Sequence, residues 1–152
     1  MVTRSAEETR RLGADLAAVA RAGDVVALFG GLGAGKTELA KGLATGLGVR
    51  DVVNSPTFVL MAEHAGRLAL FHLDLYRLAG PDEVVGAGLM DERRAGGVSV
   101  IEWADRMGSL LPPHHLAVTI EGSGELPRTL SVRATGPDYR RYLETVGGGS
   151  AR

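Results

Sequence analysis

The hydrophobic and polar positions along this chain predict alternating helices and strands. The first block, SAEETRRLGADLAAVARAGD, repeats apolar residues three and four positions apart and begins with the serine and glutamate of a capping box. It predicts a helix over residues 6–21. The next block, VVALFG, is continuously apolar, as expected for a strand that is buried on both faces of a parallel sheet. A second helix is predicted over residues 35–47, ending at Gly48.

The second half of the chain is richer in strands. FVLMAEH and LALFHLDLY flank the short segment AGR and predict an antiparallel hairpin. A helix is expected over PDEVVGAGLMDERR, with Pro81 in its first turn, and VSVIEW is typical of another buried strand. Two more strands are predicted within PHHLAVTIEGSGELPRTLSVRAT, and a short final helix over GPDYRRYLETV. The order of these elements predicts an α/β fold with a mostly parallel central sheet.

Composition narrows the class of protein without identifying its chemistry. The chain has 152 residues, of which 45% are hydrophobic and 23% charged, as is ordinary for one soluble globular domain. We expect that domain to span residues 1–145 and a flexible tail to cover residues 146–152. The net charge of −1 argues against strong tRNA binding by the chain alone, and the lack of cysteine excludes disulfides and thiolate metal sites. The sequence shows neither a membrane-spanning apolar run nor a secretory signal, so we expect a cytoplasmic protein.

The stretch ALFGGLGAGKTELAKGLATGLG contains the pattern G-x-x-x-x-G-K-[ST], formed by Gly30, Gly35, Lys36 and Thr37. Its glycines let backbone N–H groups curl around phosphate oxygens, and the helix that follows points its positive end at the anion. The lysine neutralises β- and γ-phosphate charge, and the threonine hydroxyl binds Mg²⁺. The strand before the motif and the helix after it favour a P-loop. The fold we predict is therefore a P-loop NTPase-like three-layer sandwich, with the antiparallel hairpin inserted after the P-loop helix.

A phosphate loop needs a carboxylate for its metal, and two predicted strands end in one. LALFHLD ends at Asp74 and VSVIE ends at Glu102, and α/β sheets bind ligands at the carboxyl ends of their strands. The alternative for each acid is a solvated carboxylate at a strand end. The loop NSPTF offers Ser55 and Thr57 as a nucleotide-sensing switch, although such a loop is often only a turn. For His72, in the same strand as Asp74, we expect packing rather than chemistry.

Four motifs in this order and spacing, GLGAGKT, SPTF, FHLDLYRL and VIEWADR, resemble the TsaE (YjeE) family. The resemblance covers roughly residues 5–135. It implies a small bacterial P-loop ATPase, weakly active in isolation, that is required for the threonylcarbamoyl modification of adenosine 37 in tRNA. The implied partners are TsaB and TsaD, the transferase pair whose complex the ATPase would reset between turnovers. tRNA would be reached indirectly, through that complex.

The resemblance also implies roles for individual residues, with ATP and Mg²⁺ as the cofactors. Lys36, Asp74, Glu102 and Thr57 are the catalytic candidates, and Thr37, Asp74 and Glu102 are the candidate Mg²⁺ ligands. The nucleotide-binding candidates are the P-loop together with one tryptophan and one arginine: Gly31, Leu32, Gly33, Ala34, Gly35, Lys36, Thr37, Trp103 and Arg128. A core aromatic remains the alternative for the tryptophan, and a surface role remains the alternative for the arginine.

Two positions depart from the family pattern. Gly31 stands where the family usually has an acidic residue, and Glu38 stands where it usually has a second threonine. Thr37 is kept, so the Mg²⁺ ligand is present, while the extra carboxylate at Glu38 can change nucleotide affinity. Two other functions remain open for such a loop. One is a small-molecule kinase, which usually carries an arginine-rich lid and a helical acceptor-binding insertion. The other is a nucleotide-gated adaptor in which hydrolysis is incidental.

Overall fold

The structure, a computed structural model, describes residues 1–54, 56 and 60–147. These residues form one sheet of seven strands: β1 (Val2–Thr3), β2 (Val25–Gly30), β3 (Met61–His64), β4 (Ala69–Asp74), β5 (Gly97–Glu102), β6 (Leu116–Glu121) and β7 (Arg128–Ala134). The strands lie in the order β1-β7-β6-β2-β5-β4-β3. The central strands β6, β2, β5 and β4 run parallel, and the pairs toward both edges are antiparallel. The predicted α/β fold with a mostly parallel centre is confirmed.

Helices cover both faces of this sheet. The described residues form four α-helices: α1 (Ala6–Ala17), α2 (Lys36–Gly46), α3 (Pro81–Gly86) and α4 (Arg140–Gly147). Short 3₁₀ segments occur at Glu92–Gly96, Ala104–Leu110 and Pro137–Tyr139. Within the described part of the chain, none of the helices has the length and apolar character needed to cross a bilayer.

Side chains on the two faces of the sheet pack into two separate cores. In β2, Val26 and Leu28 join the core that contains side chains of α1, α2 and α4. Val25 and Ala27 belong to the other core, with side chains of α3 and of the segment Ala104–Leu110. The result is a three-layer sandwich, and it explains why β2 is apolar at successive positions rather than at alternate ones.

The N-terminal helix starts where the sequence predicts and ends earlier. Ser5 Oγ accepts a hydrogen bond from the backbone N–H of Glu8 at 3.1 Å, as a capping residue does. The predicted end at residue 21 is wrong, because α1 stops at Ala17. The amides that follow bond to carbonyls three residues back, for example Ala20 N–H to Ala17 O at 3.1 Å, so the chain tightens out of the α-helix.

The second half of the chain confirms the hairpin and corrects one helix. β3 and β4 pair antiparallel, and β6 and β7 do so as well. The helix expected over residues 81–94 is shorter, because α3 ends at Gly86 and Gly88 adopts the left-handed φ of 75°. The N-terminal strand β1 was not predicted. Of the tail expected over residues 146–152, the first two residues end α4 and the others lie outside the described residues.

Helices α1 and α2 approach each other backbone to backbone. A Cβ atom added at Gly42 of α2 would lie 2.0 Å from the carbonyl oxygen of Arg10 in α1. One added at Gly13 of α1 would lie 2.4 Å from the carbonyl oxygen of Leu39. These glycines therefore fix how closely α2, the helix that follows the glycine-rich loop, is held by α1.

Candidate active site

Three chain segments meet at the carboxyl edge of the parallel strands. β5 lies between β2 and β4, and Glu102 at its end pairs in register with Leu28 of β2 and Asp74 of β4. The glycine-rich loop leaves β2 two residues after Leu28. The loop and both acids are therefore brought to one edge of the sheet, which is where α/β proteins bind ligands.

The glycine-rich loop has the backbone conformation that its glycines permit. Gly33 and Gly35 have φ angles of 76° and 112°, which favour glycine over other residues. A Cβ atom at Gly30 would lie 2.5 Å from the carbonyl oxygen of Ile120, so that position is also closed to larger residues. Helix α2 begins directly afterwards, and no side chain in the described part of the chain caps it. Its first-turn N–H groups and the positive end of its dipole are therefore available to an anion.

Lys36 is the buried cation of this loop. Its side chain is 4% exposed, and Nζ donates hydrogen bonds to the carbonyl oxygens of Gly30 and Gly31 at 2.8 and 2.7 Å. Burial lowers the pKa of the Lys36 amine, and the charges of Glu102, Asp74 and Asp105 act in the opposite direction. The amine thus lies in a poorly solvated place where an additional anion would favour its charged form.

Glu102 is held on two sides by hydrogen-bond donors. It is 3% exposed, and Thr37 Oγ1 donates to its carboxylate from 3.0 and 3.1 Å of the two oxygens. On its other side, His72 Nε2 lies 2.5 Å from Glu102 Oε2. A threonine hydroxyl beside a carboxylate, directly after the lysine of a glycine-rich loop, is the arrangement that holds Mg²⁺ in P-loop proteins.

Asp74 is the more accessible of the two acids. It is half-buried, and its Oδ1 accepts a hydrogen bond from the backbone N–H of Tyr76 at 3.1 Å. The carboxylate lines the same cleft as Lys36 and Glu102. Asp74 is therefore more exposed to solvent than Glu102.

The indole of Trp103 covers the lysine. Alternation along β5 would direct Trp103 away from the face of Glu102. Trp103 instead adopts a φ of 57°, which turns the chain as the strand ends and is uncommon for a bulky residue. Lys36 Nζ lies 4.1 Å from the centroid of the Trp103 ring, within the range of a cation–π contact. The ring of Tyr76 packs beside the indole, with 5.0 Å between centroids.

Arg128, at the start of β7, contacts the glycine-rich loop through its guanidinium group. Nε donates to the carbonyl oxygen of Ala34 at 2.9 Å, and Nη2 donates to that of Gly33 at 3.2 Å. Because the C=O and N–H groups of a trans peptide point in opposite directions, the N–H of Gly35 faces away from Arg128. Arg128 thus orients the loop. A direct contact of Arg128 with nucleotide stays a prediction.

Two clefts of about 360 Å³ each adjoin the loop. The first contains most of the predicted site residues and is lined by Leu32, Gly33, Ala34, Gly35, Lys36, Thr37, Glu38, Asp74, Tyr76, Glu102, Trp103 and Arg128. The second lies between the N-terminal segment and the loop before β7, and shares Gly35, Glu38 and Arg128 with the first. In the described residues, no group of three or more His, Cys, Asp or Glu side chains is placed to hold a metal ion.

The structure thus brings together nearly all the residues that the sequence singled out. Gly31 does not line the cleft but contributes its carbonyl oxygen to Lys36. Ser55 and Thr57 lie outside the described residues, so the predicted switch loop stays a prediction. The sequence indicated no role for Tyr76 and no partner for His72. The sequence did indicate that His72 lies on the same face of its strand as Asp74, two positions later, but not which residue it contacts.

Comparisons with known proteins agree with the motif pattern. The sequence matches the family described as "Threonylcarbamoyl adenosine biosynthesis protein TsaE" over residues 3–130. The tRNA threonylcarbamoyladenosine biosynthesis protein TsaE of Treponema pallidum is 40% identical over 131 residues, which cover 86% of this chain and 97% of that protein. The protein of the same name from Bacillus subtilis is 40% identical over 141 residues, covering 92% of this chain and 88% of that protein. The crystal structure of YdiB from Bacillus subtilis matches with a TM-score of 0.80 and 35% identity, covering 99% of this chain and 95% of that one.

Proposed function

The chain belongs to the TsaE family of threonylcarbamoyl adenosine biosynthesis, and from that premise we propose that it is a Mg²⁺-dependent ATPase that acts on the TsaB–TsaD complex. Its role would be to support the modification of adenosine 37 in tRNA, which it would reach through that complex. The observation that carries the proposal is the contact of Thr37 Oγ1 with the Glu102 carboxylate, at 3.0 and 3.1 Å, beside the buried Lys36.

The residues present fit a Mg²⁺–nucleotide site. Proteins hold Mg²⁺ through one or two carboxylates together with phosphate oxygens. Thr37 and Glu102 supply a hydroxyl and a carboxylate that are already hydrogen-bonded to each other. Asp74 is the residue of β4 that pairs directly with Glu102 of β5. When bound, the ion would neutralise the negative charge that develops on the phosphate oxygens during the reaction. We propose Thr37, Glu102 and Asp74 as the residues that hold it.

Lys36 and Asp74 would have separate roles in ATP hydrolysis. Lys36 supplies a positive charge to the β- and γ-phosphates, and its burial strengthens that attraction because little water screens it. Glu102 is already engaged by Thr37 and His72. Asp74 is more exposed and is therefore the better candidate to orient the attacking water. Gly33, Gly35 and their neighbours in the loop would donate backbone N–H groups to the phosphates.

The second cleft is our candidate for the nucleoside part of ATP. It begins at Gly35, Glu38 and Arg128, where the first cleft ends, so a nucleotide with its phosphates on the loop can extend into it. The hydroxyl-bearing side chains of Thr3 and Ser5 line this cleft. The Ser5 hydroxyl, which accepts from the backbone N–H of Glu8, can still donate to a base or a ribose, whereas the Thr3 hydroxyl is buried against that of Thr9 at 2.7 Å.

A pull-down tests the proposed role. The full chain is mixed with TsaB and TsaD in the presence of ATP, of ADP or of no nucleotide, and phosphate release is measured in the same samples. We expect nucleotide-dependent capture of the pair, together with phosphate release that rises when the pair is added. ADP formation that requires an added small-molecule acceptor, with the phosphoryl group carried onto that acceptor and no free phosphate released, would instead indicate a kinase. Capture with negligible turnover would indicate a nucleotide-gated adaptor.

A further inference from the structure

A buried histidine outside the predicted site contacts its central carboxylate. His72 is 0% exposed and lies in the middle of β4, two residues before Asp74. Its Nε2 is 2.5 Å from Glu102 Oε2. An ionised carboxylate can only accept hydrogen bonds, so the hydrogen between the two groups is carried by Nε2.

Protein stability alone does not favour a histidine at this position. Leu70, on the same face of β4, is fully buried in an apolar core. The Nδ1 atom of His72 is buried and has no hydrogen-bond partner among the described residues. A buried polar atom without a partner lowers the stability of the folded state, and a leucine here would avoid that cost. What the histidine contributes is its bond to Glu102.

We propose that His72 is a positioning residue, which holds the Glu102 carboxylate against Thr37. The carboxylate lies between two donors, Thr37 Oγ1 on one side and His72 Nε2 on the other. With His72 in place, Glu102 cannot rotate toward the sheet without losing a hydrogen bond in a buried place. Partners of this kind set the orientation of metal-binding carboxylates, and their loss typically costs about 10–100-fold in metal affinity.

Three variants separate positioning from packing. His72→Leu removes the donor and fits the apolar surroundings. His72→Gln restores an amide N–H near the place of Nε2. His64→Leu is the matched control, since His64 is a largely buried imidazole in the neighbouring strand β3 whose described partner is Asp51, at 3.4 Å, rather than a residue of the site.

The first readout is the geometry of the site in crystal structures of the variants. We expect the Glu102 carboxylate to leave Thr37 in His72→Leu and to stay against it in His72→Gln and His64→Leu. Thermal unfolding should show that all three variants are folded, so that a displaced carboxylate in His72→Leu reports lost positioning rather than unfolding. A carboxylate that keeps its contact with Thr37 in His72→Leu would overturn the proposal.

The second readout is the Mg²⁺ concentration at which the effect of Mg²⁺ on ADP affinity is half of its maximum. This readout rests on the proposed function. We expect His72→Leu to raise this concentration by about 10–100-fold, with ADP binding in EDTA unchanged, and His72→Gln to lower it again. An unchanged Mg²⁺ requirement in His72→Leu would count against positioning. Mg²⁺ independence of the unmodified protein would contradict the proposed ATPase, while the crystal structures would still decide the role of His72.

Discussion

At the scale of single residues, the two acids of the site share a register and differ in their surroundings. Glu102 is buried between Thr37 and His72, whereas Asp74 is half-buried and accepts a bond from the backbone of Tyr76. A carboxylate fixed by two side-chain donors suits a metal ligand, because its orientation is set in advance. A more exposed carboxylate suits a group that exchanges contacts with water. Substitutions of the two acids are therefore expected to have different effects on the protein's activity and on its Mg²⁺ binding.

We expect Glu102→Gln and Asp74→Asn each to lower phosphate release in the presence of TsaB and TsaD by about 10²-fold or more. A loss of a few kcal/mol of transition-state stabilisation has this effect on the rate. Glu102→Gln should also weaken the Mg²⁺-dependent part of ADP binding, measured by calorimetry, more than Asp74→Asn does, because Glu102 is the buried acid that is fixed against Thr37. Asp82→Asn, at an exposed acid in α3, is the control. A variant that turns over at the unmodified rate would show that its carboxylate is not needed for hydrolysis.

The sequence predicted most single residues of the site, because their types are tied to local pattern. The spacing of the P-loop gives Lys36 and Thr37, and an acid at the end of an apolar strand gives Asp74 and Glu102. The partner of His72 could not be predicted in the same way. That contact depends on the register of β4 against β5 and on where Glu102 points, and both are tertiary facts.

At the scale of elements, the site depends on how α2 is held. This helix carries Lys36 and Thr37 in its first turn, and its middle crosses α1 at Gly42 and Gly13. The two backbones meet there with no room for a side chain. Displacing α2 would therefore move the lysine and the threonine together, relative to the acids on the sheet.

We expect Gly42→Ala to destabilise the protein by about 1–3 kcal/mol, because the new methyl group would overlap the Arg10 carbonyl and force the helices apart. Denaturant unfolding measures this, and calorimetry with ADP should show weaker binding by the folded variant. Gly86→Ala is the matched control, because a Cβ atom there meets nothing within 4 Å. It should be neutral or stabilising by up to about 1 kcal/mol. Equal stability of the two variants would contradict the described helix contact.

Helix ends and edge strands were the elements that the sequence predicted least well. The capping box predicted the start of α1. The end of α1 depends on a tightening of the backbone that no residue type in the sequence indicates. Gly88, just after α3, adopts a left-handed φ that prevents the helix from continuing. The prediction of a longer helix rested on apolar spacing and did not take this preference of glycine into account. β1 has only two residues, too few for a pattern, and it exists because it pairs with β7.

At the scale of the whole molecule, the sheet assembles one site from distant parts of the chain. The loop after β2, the ends of β4 and β5, and Arg128 at the start of β7 all contribute to the first cleft. None of these segments could form the site alone, because the loop supplies N–H donors and the Lys36 ammonium group, the strand ends supply carboxylates, and Arg128 supplies a guanidinium group. The sequence predicted the groups, and their common edge followed from the α/β class. The order of the strands could not be read from the residues and is a finding of the structure.

The central claim is that the loop at Lys36 makes this chain a Mg²⁺-dependent ATPase in the presence of its partners. The most direct test is phosphate release from ATP and Mg²⁺ by the full chain with TsaB and TsaD, compared between the unmodified protein and Lys36→Ala. Lys41 is too far along α2 to replace the lost charge, since it pairs with Glu38 a turn away. We expect release by the unmodified chain and none above background by a folded Lys36→Ala. Release by Lys36→Ala at the unmodified rate would contradict the account.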